Sequence, residues 1–289
     1  MLVSTYVITG GAGFIGSHLC ESLLSEGNKV ICVDNLITGS ESNIEPYFEN
    51  GNFSYINHDL ISGMPQVAGK IDGVFHFASP ASPNSKSSRS YMSHPIATLL
   101  VNSTGTRNAL EFAKEKKATL LFASSSEVYG DPSVSPQKED YYGNVNPNGP
   151  RSVYDEGKRF GEAICAAYAR TYNMDVRVIR IFNTYGDRMQ KDDGRVVSNF
   201  INQALAGEDI TVYGDGSQTR SFCYITDLVD GLVTAIKKEN SGILVMNLGN
   251  PDEHKISELA SKIKEMTNSE SKIFMRICPK TILIKDGRI

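Results

Sequence analysis

TGGAGFIG, residues 9–16, follows the short apolar run YVIT (6–9) and opens the amphipathic stretch FIGSHLCESLLSEG (14–27). Gly11, Gly13 and Gly16 satisfy G-x-G-x-x-G, and Gly10, Gly13 and Gly16 satisfy the related G-x-x-G-x-x-G. Strand, glycine turn and helix in that order form the opening of a dinucleotide-binding βαβ unit. The glycines permit a tight turn and let the backbone approach a pyrophosphate, and the helix N-terminus beyond adds free N–H groups and a partial positive charge. Asp34 ends the next apolar run, KVICVD (29–34), 21 residues after Gly13. A carboxylate there accepts hydrogen bonds from ribose hydroxyls and repels a 2′-phosphate, which favours NAD over NADP. The candidate cofactor contacts at this end are Gly10, Gly13, Phe14, Ile15 and Gly16 in the turn, and Asp34 with Asn35 after the second strand. Asp59, followed by Leu60, is placed either at the adenine or in a capping role.

Outward from this unit, short apolar runs alternate with helical patterns. Strands are predicted at 53–59, 73–79, 118–126 and 175–183, with a long helix over 91–116 and another carrying Tyr154. Near-continuous apolar strands separated by helices argue for an α/β fold with a doubly wound parallel (Rossmann) sheet covered on both faces. After Asn183 the pattern loosens into a helix (195–206), a strand (210–214), a segment SFCYIT (221–226), a helix (226–238), a strand (243–249) and a helix (256–267). That reads as a smaller α/β substrate-binding lobe. The expected division is an NAD-binding Rossmann domain over 1–182, to which 220–240 returns, and a lobe over 183–289.

Composition narrows the class. The 289 residues carry 29 basic and 33 acidic side chains, a net charge of −4, with no basic footprint for nucleic acid. Five cysteines are scattered with no C-x-x-C pair, so neither zinc nor a disulfide framework is indicated, no metal is expected, and a reducing cytoplasm fits. No run of 18 apolar residues and no basic leader precede the first strand, so neither a signal peptide nor a membrane span is expected.

The chemistry points to the far end of the sheet. SVYDEGKRFGE (152–162) sets Tyr154 and Lys158 four apart, on one face of a helix. An ordinary phenol is a poor base at neutral pH, and a cation one turn away favours the phenolate. Strand five ends in ASSSEVYG (123–130), which would bring Ser124, Ser125, Ser126 and Glu127 into the crevice beside the nicotinamide; Ala78, Ser124, Tyr154 and Lys158 are the candidate cofactor contacts at this end. A serine hydroxyl there can bond a substrate oxygen and pass a proton to Tyr154.

These motifs together resemble the extended short-chain dehydrogenase/reductase family that acts on nucleotide sugars. SPASP (79–83), SSEVYGDP (125–132), GPRSVYDEGKRFGE (149–162), NTYGDRM (183–189), DGRVVSNFI (193–201) and GDGSQTRSFCYITDLVDGL (214–232) are similar to its UDP-glucuronate decarboxylase branch. The resemblance implies bound NAD, a UDP-sugar substrate, and decarboxylation of UDP-glucuronate to UDP-xylose through a 4-keto intermediate. It implies Tyr154 and Lys158 as the catalytic pair with Ser125 as hydroxyl partner, and Ser126 and Glu127 serving the step after oxidation, with a protonated Glu127 or a water on Ser126 as proton source. Arg220 would face the diphosphate or the sugar carboxylate, Asn183 and Arg188 the diphosphate, and Val197 and Tyr213 the uracil. A homodimer through the Tyr154 helix and the long helix before strand five is also implied. The alternatives are a nucleotide-sugar 4,6-dehydratase or 4-epimerase on the same scaffold, or a non-catalytic NAD-binding sensor or interaction module. Two stretches depart from the family pattern: the loop NSKSSRSYMSH (84–94), and the end of the chain, where a Pro- and Arg-containing segment and a final helix near Leu-Gly-Trp are expected and the lobe reads as short.

Overall fold

The computed structural model describes residues 3–277. The chain runs β1 (Thr5–Thr9), α1 (Phe14–Ser25), β2 (Lys29–Asp34), β3 (Phe53–Asn57), β4 (Gly73–His76), α2 (Pro95–Leu100), α3 (Thr106–Lys116), β5 (Thr119–Ser125), α4 (Ser152–Tyr172) and β6 (Val176–Ile181). It leaves through β7 (Thr184–Tyr185), α5 (Val196–Ala206), β8 (Ile210–Tyr213), β9 (Thr219–Ser221) and β10 (Cys223–Tyr224). It returns with α6 (Ile225–Lys237) and β11 (Ile243–Leu248), then ends in β12 (Glu253–Lys255), α7 (Ile256–Met266) and β13 (Ile273–Arg276).

Seven strands form one parallel sheet in the order β11-β6-β5-β4-β1-β2-β3. The order reverses between β1 and β4, which pair directly from Tyr6↔Gly73 to Thr9↔His76. Crossovers to opposite faces diverge at that point, so a crevice opens beyond the carboxyl ends of these strands. Apolar side chains cover both faces. Leu19, Leu23 and Cys20 of α1 meet Leu228, Leu232 and Ile236 of α6 on one side, and Leu110 and Ala113 of α3 meet Cys165 and Ala169 of α4 on the other. This is the doubly wound Rossmann sheet expected.

Two elements differ from the reading of the sequence. The strand at 243–249, expected in the smaller lobe, is β11 and pairs with β6 from Ile243↔Val176 to Leu248↔Ile181. An apolar run of that length gives no sign of which sheet it joins; the α6 crossover decides it. The long helix does not begin at residue 91. Pro95 stands in its first turn, where a missing N–H costs nothing, and residues 91–94 form turns ahead of it. The helix then widens into a π turn over Val101–Gly105, where Asn102 Nδ2 donates to the carbonyl of Thr98 at 2.9 Å and to Ser79 Oγ at 2.8 Å.

A second, smaller core joins α5, β8, α7 and β13 through Phe200, Ala204, Ile210, Val212, Ile256, Ala260 and Ile263. The segment read as SFCYIT (221–226) divides between the last residue of β9, the two-residue β10 and the start of α6; β9 pairs antiparallel with β12, and β10 pairs parallel with β7. Residues 278–289, including Cys278, lie outside the described residues. The four described cysteines, Cys20, Cys32, Cys165 and Cys223, are buried free thiols. Among the described residues no helix is long and apolar enough to cross a membrane.

Candidate active site

The glycine turn is fixed by close packing. Gly10 adopts φ +74°, and a Cβ there would lie 2.7 Å from the Ala78 nitrogen, just past β4. A Cβ on Gly16 would run into the carbonyl of Gly10, so α1 can rise directly off the turn only with glycine there. Gly13 is different: a Cβ would meet only the Gly10 oxygen, at 3.2 Å, because its other side faces the crevice. The first helical amides at Phe14, Ile15 and Gly16 border the same space, and the opening N–H groups of a helix have no partner within it. Asp34 closes the turn from the side. Its Oδ2 accepts from Ala12 N at 3.0 Å and its Oδ1 from Leu36 N at 2.8 Å. Burial pushes the Asp34 carboxyl up from its usual range, and these two backbone hydrogen bonds pull it back down.

The crevice is a cavity of about 370 Å³ bordered by the glycine turn, the end of β5, the start of α4 and the segment after β6. Beside it a recess of about 90 Å³ is lined by Asp34, Asn35, Asp59, Leu60 and Ala78, and shares Gly10, Gly13, Thr38, Phe77 and Ser79 with the larger space. Asp59 Oδ1 accepts from Ile61 N at 2.9 Å, so its carboxylate caps the short turn that follows it while bordering the recess. An open glycine face under a helix N-terminus, with a carboxylate in the adjoining recess, fits a dinucleotide: pyrophosphate over Gly13, ribose toward Asp34.

At the other rim, β5 ends with Ser125 in extended conformation, and its Oγ accepts from Glu127 N at 3.2 Å, turning the chain into a 3-10 turn over Ser126–Tyr129. α4 lies tightly on this strand because Gly161 leaves no Cβ to strike the Phe122 ring. Tyr154 and Lys158 therefore arrive, both buried, at the edge of β5. Lys158 Nζ donates to the Ala123 carbonyl at 2.8 Å and lies 5.6 Å from the centroid of the Tyr154 ring. Burial pushes the Tyr154 phenol up; Arg195 and a hydrogen bond with Ser125 pull it down, and Glu127 and Asp155 push it further up. Lys158 is pushed down by its own burial to about 7. Thus the helical spacing brings the ammonium beside the phenol, but the cation acting most on the phenol is Arg195, which the sequence reading had not singled out. Its Nη2 donates to Ala81 O at 2.9 Å and its Nη1 lies 3.3 Å from Asp193 Oδ2.

Other side chains complete the rim. Tyr91 stacks on Tyr154 with ring centroids 5.0 Å apart and planes 14° from parallel. Arg151, the residue that caps α4 through its carbonyl, forms an ion pair with Glu127. The Glu127 carboxylate, expected at the proton-transfer step, faces this guanidinium. Ser124 Oγ donates to Glu162 Oε1 at 2.5 Å, and Glu162 also holds Arg180 at 2.7 Å. Arg180 Nη1 donates to Tyr129 OH at 2.9 Å, and Tyr129 OH to Asn247 Oδ1 at 2.6 Å, so a polar network runs under the crevice from α4 to β11.

The cavity thus gathers Gly10, Gly13, Phe14, Ile15, Gly16, Ser124, Ser125, Ser126, Glu127, Tyr154, Lys158, Asn183 and Arg220 from distant parts of the chain. Asn183 Nδ2 donates to Ser221 O at 3.4 Å, and Arg220 Nη1 to Thr219 O at 2.7 Å. Three expected substrate contacts are not on its wall. Arg188 forms an ion pair with Glu21 of α1, with its own φ at +61°. Val197 is buried on α5, and Tyr213 ends β8 with its carbonyl accepting from Gln218 Nε2 at 2.8 Å. Tyr91, Arg151 and Arg195 were missed because nothing local marks them: each matters through what the fold sets opposite it.

The crevice and its rim define a class. Residues 6–249 match the NAD dependent epimerase/dehydratase family, and the chain belongs to that family. NAD is the cofactor of this family, and the cradle at Gly13 and Asp34 fits it. The chain is 53% identical over 267 residues to UDP-glucuronic acid decarboxylase 1 of Danio rerio, covering 92% of this chain and 62% of that protein. It thus spans about three fifths of that relative's length. It is 48% identical over 270 residues to UDP-glucuronic acid decarboxylase 5 of Arabidopsis thaliana, covering 93% of this chain and 76% of the relative. Among solved structures, UDP-glucuronic acid 4-epimerase from Bacillus cereus in complex with UDP-glucuronic acid and NAD superimposes with a TM-score of 0.78 at 27% identity, covering 94% of this chain and 86% of that one.

Proposed function

We propose that the protein decarboxylates UDP-glucuronate to UDP-xylose through a 4-keto sugar, with NAD regenerated in each turnover. The observation that carries this reading is the meeting of Tyr154, Ser125 and Lys158 on one wall of the crevice whose floor is the glycine turn. The level of identity to decarboxylases supports the substrate.

NAD held over Gly13 and beside Asp34 would supply the acceptor for the C4 hydride and the reductant for the later ketone. Tyr154 takes the proton of the sugar 4-hydroxyl, and Ser125 hydrogen-bonds the same oxygen. Arg195 and Lys158 offset the negative charge that appears on the phenol. Once C4 is a ketone, the carboxylate β to it leaves as carbon dioxide and the ketone oxygen accepts the electron pair. C5 of the resulting enol then takes a proton. Glu127, held by Arg151, and Ser126 border this position, and a water between them delivers the proton. Arg220 and Asn183 hold the diphosphate end. Arg188, Val197 and Tyr213 are assigned no contact here, because they lie off the cavity wall.

The functional division is an NAD-binding unit that includes residues 1–182 and the returning α6 and β11, and a nucleotide-sugar lobe built on α5, β8, α7 and β13. The protein acts as a cytoplasmic homodimer. Ile96, Leu99 and Leu100 on α2 and Phe160 on α4 form an exposed apolar strip, which supports pairing of these helices with those of a second copy.

Incubation with UDP-glucuronate, with carbon dioxide and UDP-xylose as readouts, tests the reading. Release of both supports it. UDP-galactose formed from UDP-glucose would replace it with an epimerase, a 4-keto-6-deoxy sugar with a dehydratase, and NAD binding without any turnover with a sensor or interaction module.

A further inference from the structure

The loop that departs from the family pattern, NSKSSRSYMSH (84–94), is a built part of the crevice wall. Ser87, Ser90 and Tyr91 are buried at 2%, 0% and 1% exposure, as only a packed loop allows. Ser90 Oγ donates to Ser82 O at 2.8 Å and Ser93 Oγ to Ser87 O at 2.7 Å, closing the loop on itself. It is also joined to the segment that carries Arg195: Ser82 Oγ donates to Asp193 O at 2.7 Å and Asn84 Nδ2 to Asp192 O at 2.8 Å. Within this frame Arg89 reaches the cavity wall.

The charges on that wall are unevenly matched. Its acidic residues are Glu127 and Asp193, and each has its own arginine, Arg151 and Arg195. Arg89 has no ion pair among the described residues, in a chain whose net charge is −4. Its backbone N–H donates to Ser87 Oγ at 3.2 Å, so the main chain at Arg89 is anchored while its guanidinium is free for a ligand. A nucleotide sugar with a uronic acid brings a diphosphate and a carboxylate into this space, more anionic groups than Arg220 alone can meet.

We propose that Arg89 binds an anionic group of the nucleotide sugar, the diphosphate or the sugar carboxylate, and that the 84–94 loop serves to present it. This rests on the nucleotide-sugar reading above. A guanidinium–anion hydrogen bond at a partly open site corresponds to about a tenfold change in affinity. Calorimetric titration of the NAD-loaded protein with UDP-glucuronate, UDP-glucose and UDP, for wild type, Arg89→Gln and Arg89→Lys, tests it, with NAD affinity measured on the same samples as the check on folding. The expected result is about tenfold weaker UDP-glucuronate binding by Arg89→Gln, partial recovery in Arg89→Lys, and unchanged NAD affinity. Loss confined to UDP-glucuronate places Arg89 on the carboxylate; an equal loss for all three places it on the diphosphate. Unchanged binding of all three by Arg89→Gln overturns the proposal while leaving the function intact. If wild type binds none of the three, the nucleotide-sugar reading itself fails and this one with it.

Discussion

Arg151, at the threshold of α4, closes on the carboxylate of Glu127, 24 residues earlier in the chain. The pair joins the turn after β5 to the helix that carries Tyr154. Both side chains are partly exposed, 39% and 29%, so the bridge contributes modestly to stability, about 1 kcal/mol or less. Its larger effect is geometric, because it fixes Glu127 on the crevice wall. Arg151→Met is therefore expected to lower turnover of UDP-glucuronate by about 10–100-fold with a change of only about 1 kcal/mol in urea unfolding. Glu127→Gln should lower turnover to a similar degree and leave NAD affinity unchanged; full activity in Glu127→Gln removes it from proton delivery.

The phenol of Tyr154 is pushed up by burial and drawn down by Arg195 and Ser125. A base that is mostly protonated at neutral pH gains active form as pH rises, so kcat/KM should climb from neutral into the alkaline range. Arg195→Met removes a cation that favours the phenolate, and the rising limb should move to higher pH. Tyr154→Phe should abolish the limb and lower turnover by about a thousandfold or more. A pH–rate profile of the three proteins checks all of this.

Lys158 titrates near 7 in the folded protein against an ordinary 10.5, the result of burial. Between those values the unfolded chain holds a proton that the folded chain does not, so acidification favours unfolding. The contribution is complete above about pH 10.4, is lost as pH falls toward 7, and changes no further below that. Wild type minus Lys158→Met in unfolding free energy should therefore rise with pH across this window and level off at each end. Chemical denaturation at intervals of one pH unit measures it, and a flat difference contradicts the burial argument.

Glu162 and Arg180 form an enclosed pair, 2.7 Å apart with 16% and 12% exposure, that also receives Ser124. Removal of one member leaves the other charge without its partner inside the protein. Glu162→Ala should cost about 3–5 kcal/mol in unfolding free energy, and Glu162→Gln clearly less, since it retains an acceptor for Ser124. Urea titration separates the two.

Asp34 serves both the turn and the recess, through its bonds to Ala12 and Leu36 and its place on the recess wall. Asp34→Asn keeps one acceptor oxygen but removes the charge that repels a 2′-phosphate. NAD affinity should fall about tenfold and the preference for NAD over NADP should narrow, both read by titration with the two cofactors.

The residues of this chain determine by themselves whatever depends on neighbours in sequence. The glycine turn, its helix and Asp34 are legible because their geometry is local: a turn with no Cβ, a helix N-terminus, a strand ended by a carboxylate. Tyr154 and Lys158 share a face because helical periodicity demands it. Tertiary structure decided which groups meet across the chain. Arg195 acts on Tyr154 and Arg151 holds Glu127 only because the fold brings separate segments to one crevice, and no spacing in the sequence encodes that approach. The same holds for β11, whose apolar run suits either sheet until α6 delivers it to β6, and for Arg188, which sits in the resembling motif yet turns to Glu21. Periodicity is a property of one segment, whereas electrostatic partnership and sheet membership depend on distances that exist only once the crossovers have closed.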